Sequence, residues 1–184
     1  MKFFKLARIA LCAAVLVFSA SALQAAKKEE QENKYPNATR VNPKATMSSR
    51  EQRDLSKATD LVNDGKDDEA MPLIEKALEN KKIGPYAEAF AQQLLARVYW
   101  DLEKEDQAIA ANKRAIELDA LPNNTHFDLM YQLAQFQVQT EKYDDALATL
   151  ARFKKETGSE SADQLALLGN IYYRLDKFQE AADT

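Results

Sequence analysis

His126 is the one histidine of this chain and Cys12 its one cysteine. A single histidine excludes the two-histidine zinc motif, and a single cysteine excludes paired-thiol chemistry. His126 is expected in the first turn of a helix, at its surface. Carboxylates are plentiful, 29 in all. The tight groups Asp67-Asp68-Glu69 and Asp144-Asp145 stand where helices are predicted to begin. There a negative charge favours the positive end of the helix dipole, which is a structural role. Glycine occurs four times, with no glycine-rich phosphate loop and no nucleophile elbow. No set of residues converges on a reaction. The chain is predicted to be a non-enzyme with no catalytic residue, no metal site and no cofactor.

The elements that would position any binding residue are more legible. Leu165, Leu168, Tyr172 and Tyr173 fall on one helical stripe, with Gly169 inside it. A glycine there costs about 1 kcal/mol against alanine, so a close helix crossing is expected. Ala181, twelve positions on, is expected to face it. The same small-then-alanine pair recurs as Ala58 and Ala70, Ala96 and Ala108, and Ala134 and Ala146. The first members are spaced by 96 − 58 = 38, 134 − 96 = 38 and 169 − 134 = 35 residues. Alanine, leucine, glutamate and lysine dominate, and no strand-like alternation appears. The fold class is therefore all-α, built from antiparallel helix pairs.

This pattern resembles the tetratricopeptide repeat (TPR), a helix–turn–helix unit of ~34 residues. The resemblance implies a right-handed superhelical array with hairpins at 48–80, 85–119, 124–157 and 161–184. The fourth is cut in its second helix, so more repeats are expected beyond Thr184. Two positions depart from the repeat. Asn112 replaces a large apolar residue and Gln137 an aromatic. The connection Leu121-Pro122-Asn123-Asn124 makes its repeat four residues longer than the norm.

In TPR arrays the first helix of each hairpin lines a concave groove. Carried over by phase, the groove positions are Phe90, Gln93, Arg97, Trp100 and Asp101 in the second repeat. In the third they are Asp128, Tyr131, Gln135, Val138 and Gln139. In the fourth they are Asp163, Ala166, Asn170, Tyr173 and Arg174. Trp100, Tyr131, Tyr173, Arg97 and Arg174 form an expected hot-spot set, since aromatics and arginine dominate protein-binding surfaces. The alternative for Trp100 and Tyr173 is packing between repeats. The lysine–asparagine clamp for acidic C-termini is unmatched, with Leu55 and Thr59 at its first positions.

The N-terminus reads as an export signal. Lys2, Lys5 and Arg8 precede the apolar run Ile9 to Phe18, and small residues follow near Ala22 and Ala25. Cleavage after Ala25 would leave 184 − 25 = 159 residues without cysteine and a charge of 22 − 29 = −7. That charge argues against nucleic acid or an anionic membrane as partner. Residues 26–47, with Lys27-Lys28-Glu29-Glu30, Pro36 and Pro43, are expected to be a flexible polar linker.

Leu121 to Ala181 is similar to a subgroup of exported TPR proteins of Gram-negative bacteria. These are described as components of TonB-type energy-transducing systems. The resemblance implies a periplasmic scaffold that binds an envelope protein, near a TonB–ExbB–ExbD complex. Two alternatives are a self-associating structural protein and the accessory repeats of an envelope enzyme whose catalytic part lies beyond Thr184.

Overall fold

A computed structural model describes residues 32–184. The expected export signal, and the first residues of the expected linker, lie outside the described residues. Eight helices and no strand occur among those described. They run α1 (Ser49–Asn63), α2 (Asp67–Leu78), α3 (Pro85–Asp101), α4 (Glu105–Glu117), α5 (Asn123–Gln139), α6 (Tyr143–Thr157), α7 (Ala162–Arg174) and α8 (Phe178–Ala182). Consecutive helices pair as hairpins, and helix contacts run between neighbours along the chain. The architecture is the expected all-α array of helix pairs.

The caps follow from local chemistry. Ser48 and Glu51 form a reciprocal capping box at the start of α1, and Ser161 and Gln164 do the same for α7. Glu51 also accepts from the backbone N–H of Gly84 at 2.8 Å, which joins the first hairpin to the second. The N–H groups of Gly84 and Ser48 hold its carboxyl below the usual range. Pro85 opens α3 at the first helical position, where its missing N–H costs nothing.

The small pairs lie in the core. Ala58, Ala70, Ala96, Ala108, Ala134 and Ala146 are all fully buried. Ala58 shares an apolar cluster with Ala70, and Ala134 shares one with Ala146. At Gly169 an added Cβ would lie 3.7 Å from the Ala181 carbonyl oxygen, so the crossing has room for one methyl group. Both departures from the repeat meet a polar partner, although Asn112 Oδ1 has none among the described residues. The Thr149 hydroxyl donates to Gln137 Oε1 at 2.8 Å, and Asn112 Nδ2 donates to Gln132 Oε1 at 3.4 Å.

The turn inside each hairpin is the same four times over. Gly65, Glu103, Glu141 and Asp176 all have positive φ, between 57° and 71°. Each is followed by a lysine: Lys66, Lys104, Lys142 and Lys177. The lysine N–H reaches the carbonyl five residues back, from Lys66 to Leu61 at 2.9 Å through Lys142 to Gln137 at 2.7 Å. This satisfies a carbonyl that the helix end leaves open, and it requires a left-handed residue before the lysine. Gly65 supplies that conformation freely, whereas the three acidic residues adopt it against the clash of their own Cβ.

The segment expected to be a flexible linker is docked from Lys34 to Asn42. Tyr35 and Ala38 pack on the core cluster that contains Phe127 and Phe153. The Thr39 N–H donates to the Glu156 carbonyl at 2.9 Å. Two anchors, one aromatic and one cationic, hold a stretch too polar to form a core of its own. The correction extends to His126, which does lie in the first turn of α5 but is fully buried rather than at the surface. Its ring meets Phe127 edge-on at 5.3 Å, and neither ring nitrogen has a hydrogen-bond partner among the described residues. Burial, and then the charge of Arg40, push its pKa down from 6.5 to about 4. Asp119 and Glu156 pull the other way, and Arg152 adds to the fall.

Two outcomes are expected. Glu141→Gly removes a left-handed clash and should stabilise the array by about 1 kcal/mol, read as a raised thermal midpoint. An unchanged or lowered midpoint contradicts the turn assignment. For His126 the folded-state pKa is depressed, so the unfolded chain takes up the proton first. Its contribution to stability is full above pH 6.5 and is lost as pH falls toward 4, by up to about 3 kcal/mol. His126→Leu should melt no lower than the parent at neutral pH, because no hydrogen bond is broken. Its denaturant midpoint should fall less than the parent's between pH 6.5 and 4; parallel curves would refute the buried neutral imidazole.

Candidate functional site

The expected groove positions on α3 include a polar stripe. Gln93, Arg97 and Asp101 follow one another at i, i+4 and i+8, so they share a face of the helix. Arg97 Nε pairs with Asp101 Oδ2 at 2.5 Å. Asp67, the first residue of α2, sits close enough to feel both charges. Burial, and then the charge of Asp101, hold its carboxyl above the usual range, and Arg97 opposes that shift. Asp67 Oδ1 and Gln93 Oε1 are buried and meet no donor among the described residues. Two unpaired acceptors flank one arginine–carboxylate pair. The surface above them offers a cation to an acid and a carboxylate to a base.

The aromatic positions divide between packing and exposure. Trp100 lies flat on Phe136, with ring centroids 3.8 Å apart and planes 2° apart, so it joins α3 to α5. Phe90 packs against both large apolar clusters. Tyr131 tilts over Phe153 at 6.4 Å and donates its hydroxyl to the Asp163 carbonyl at 3.2 Å, bridging the third and fourth hairpins. Gln135 and Gln139 on α5 are half-buried, and Val138 packs under α7 with Ile171 and Leu168. Tyr173 is 63 % exposed and stands edge-on to Phe178, itself 57 % exposed, at 5.7 Å. Asp163, Ala166, Asn170 and Arg174 are exposed on α7. Of the expected hot-spot set, Arg97, Tyr173 and Arg174 keep surface to offer. Trp100 and Tyr131 commit much of theirs to neighbouring repeats.

A second polar centre lies under the N-terminal segment, away from the α3 stripe. Arg40 is its focus, with its side chain 9 % exposed. The guanidinium pairs with the Asp119 carboxylate and donates to the Asp119 carbonyl at 2.7 Å. It also donates to the Leu121 carbonyl and to Asn123 Oδ1, both at 2.8 Å. Asp119 has φ 51°, a left-handed conformation outside any hairpin turn. That strained bend aims its carbonyl and its carboxylate at one cation. Five residues earlier, the Tyr35 ring meets Phe127 at 5.2 Å and Phe153 at 5.6 Å, edge-on to both. Its hydroxyl donates to Asp128 Oδ1 at 2.9 Å, and Lys34 Nζ reaches Asp128 Oδ2 at 2.7 Å. Burial, and then the Asp128 charge, raise the Tyr35 hydroxyl far above its ordinary range. Sequence reasoning missed this centre because it took residues 26–47 as unstructured. The signal that could have found it is the long connection at Leu121–Asn124 opposite an isolated tyrosine and arginine.

Among the described residues, no group of three or more His, Cys, Asp or Glu side chains could hold a metal ion. None of the helices among the described residues is long and apolar enough to cross a membrane. Comparison with known proteins agrees with this geometry at the level of the fold. A family model described as "Tetratricopeptide repeat" matches residues 91–120, which span most of the second hairpin. No curated protein matches the sequence. Eleven chains of solved structure match. One is titled "MamA RS-1 ArsTM double mutant". It is 15 % identical, aligns with a TM-score of 0.59, and covers 75 % of this chain and 72 % of its own. The matched repeat, the identical hairpin turns and this likeness together support a tetratricopeptide-type helix-pair array.

Proposed function

We propose that this chain is a non-enzymatic scaffold that holds a segment of another protein along the first helices of its hairpins. The observation that carries the reading is the α3 stripe. A buried acceptor on Gln93 and another on Asp67 lie unpaired beside the Arg97–Asp101 pair. An unpaired buried acceptor costs stability, about 1–3 kcal/mol. A bound backbone N–H or a cationic side chain would relieve that cost. The reading extends to the periplasm, through the export signal read in residues 1–25, and to a partner of the cell envelope. The similarity of Leu121–Ala181 to exported proteins of TonB-type systems favours a neighbour of a TonB–ExbB–ExbD complex.

Arg97→Ala and Gln93→Ala test the groove without touching the Trp100–Phe136 stack. Cross-linked envelope partners should be recovered about tenfold less with either variant, as for a truncated hot-spot residue. Circular dichroism should show parental helicity. Full recovery with both variants excludes the α3 stripe as the contact surface.

A second reading is favoured by one observation, the exposed edge pair of Tyr173 and Phe178. Two large aromatic faces side by side suit association with another copy. Sedimentation at rising concentration should then show a dimer that Tyr173→Ser with Phe178→Ser abolishes. A monomer throughout removes this reading.

A further inference from the structure

We infer that the surface under residues 34–42 is a peptide-binding site held closed by the chain's own N-terminal segment. Its external ligand would be an extended peptide with an aromatic residue and, five positions later, an arginine. The inference stands apart from the α3 stripe and does not depend on it.

Three features argue for a site rather than for mere packing. The recognition is that of an extended ligand. One ring packs edge-on against both Phe127 and Phe153, one guanidinium reaches four acceptors, and one backbone N–H bonds the Glu156 carbonyl. Between those anchors Pro36, Asn37 and Thr39 remain exposed. Next, the receptor half has an irregular backbone of its own. Asp119 is held in a left-handed bend, and the connection that departs from the repeat norm supplies Leu121 and Asn123. A repeat array needs no such loop to stack its hairpins. Finally, the segment belongs to the part of a protein that opens locally. It buries little apolar surface of its own, and most of its hydrogen bonds face solvent. Phe127 and Phe153 still meet each other, at 6.1 Å, so the cluster beneath keeps its contacts when the segment lifts.

The occupant's chemistry can be read from the contacts. Asp128 and Asp119 give the surface two carboxylates, matched by Lys34 and Arg40. A competing peptide must bring an aromatic ring to the Phe127–Phe153 slot and a planar cation to the Asp119 bend. A lysine there would forfeit the forked geometry that only a guanidinium satisfies. The tethered segment competes at an effective concentration of order millimolar, so it masks the site from weak ligands.

The test uses the full chain and a fluorescent synthetic peptide of residues 33–43. The double variant Tyr35→Ala, Arg40→Ala, with parental helicity and a cooperative melt, should bind that peptide about tenfold more tightly than the unaltered chain. Peptides carrying Tyr35→Ala or Arg40→Ala should lose binding. In the unaltered chain, the Thr39 amide should exchange by local opening, well before the amides of α3 and α5. That measurement stands even where the double variant does not fold. Equal or absent binding to a folded double variant overturns the inference. Exchange of Thr39 only on global unfolding does so too. A dimer of the unaltered chain that the double variant loses also overturns it, by giving the site to a second copy.

Discussion

Each of the first three hairpins carries two small, fully buried side chains twelve residues apart. Ala58 and Ala70 share one apolar cluster and Ala134 and Ala146 another, while Ala96 and Ala108 lie in two clusters that both take Phe90 and Tyr99. The close crossing fixes the turn. The chain must reverse within a few residues, so one residue must go left-handed, and the same position does so in all four hairpins. The turn in turn aims the backbone N–H of the next residue, a lysine each time, at the carbonyl five residues back, which closes the helix end. Packing, turn geometry and capping are thus one constraint, repeated.

That constraint also explains what the amino-acid sequence could reveal. Helix pairs were legible because a small residue and its alanine partner recur in phase, and phase survives variation at other positions. The turns were less so. Glu103, Glu141 and Asp176 carry no signal of positive φ, and of the four equivalent positions Gly65 alone announces it. Trp100 was ambiguous because helical spacing places an aromatic on a face without saying what lies opposite. The answer, Phe136, comes from the next hairpin. His126 was read as a surface residue from its place in a first turn. Its burial comes from Phe127 beside it and from the docked segment near it, neither of which leaves a periodic trace.

The N-terminal segment was the largest misreading, and the reason is physical. A hydropathy argument counts apolar area, and residues 33–43 have little. What holds them is polar: a guanidinium with four acceptors, a tyrosine hydroxyl on Asp128 and one backbone pair. Each such bond contributes modestly, about 1 kcal/mol or up to twice that where a charge is involved. Together they can order a short stretch that composition alone assigns to disorder.

The docked segment also bears on the shape of the array. Helix contacts here run between neighbouring hairpins, so the spacing of the first hairpin from the third accumulates over two interfaces. Nothing in such a stack holds distant hairpins directly. The N-terminal segment does, since Asn42 accepts from the Asn123 N–H at the start of α5 and the chain reaches the cap of α1 at Ser48. Six residue steps span at most about 20 Å. Two neighbouring-helix spacings, at 8–10 Å each, come to roughly 16–20 Å. A wider opening between the first and third hairpins would have to be taken up within residues 42–48 or pull Asn42 from Asn123. Docking of the segment thus adds a tie along the array that its helix contacts do not provide.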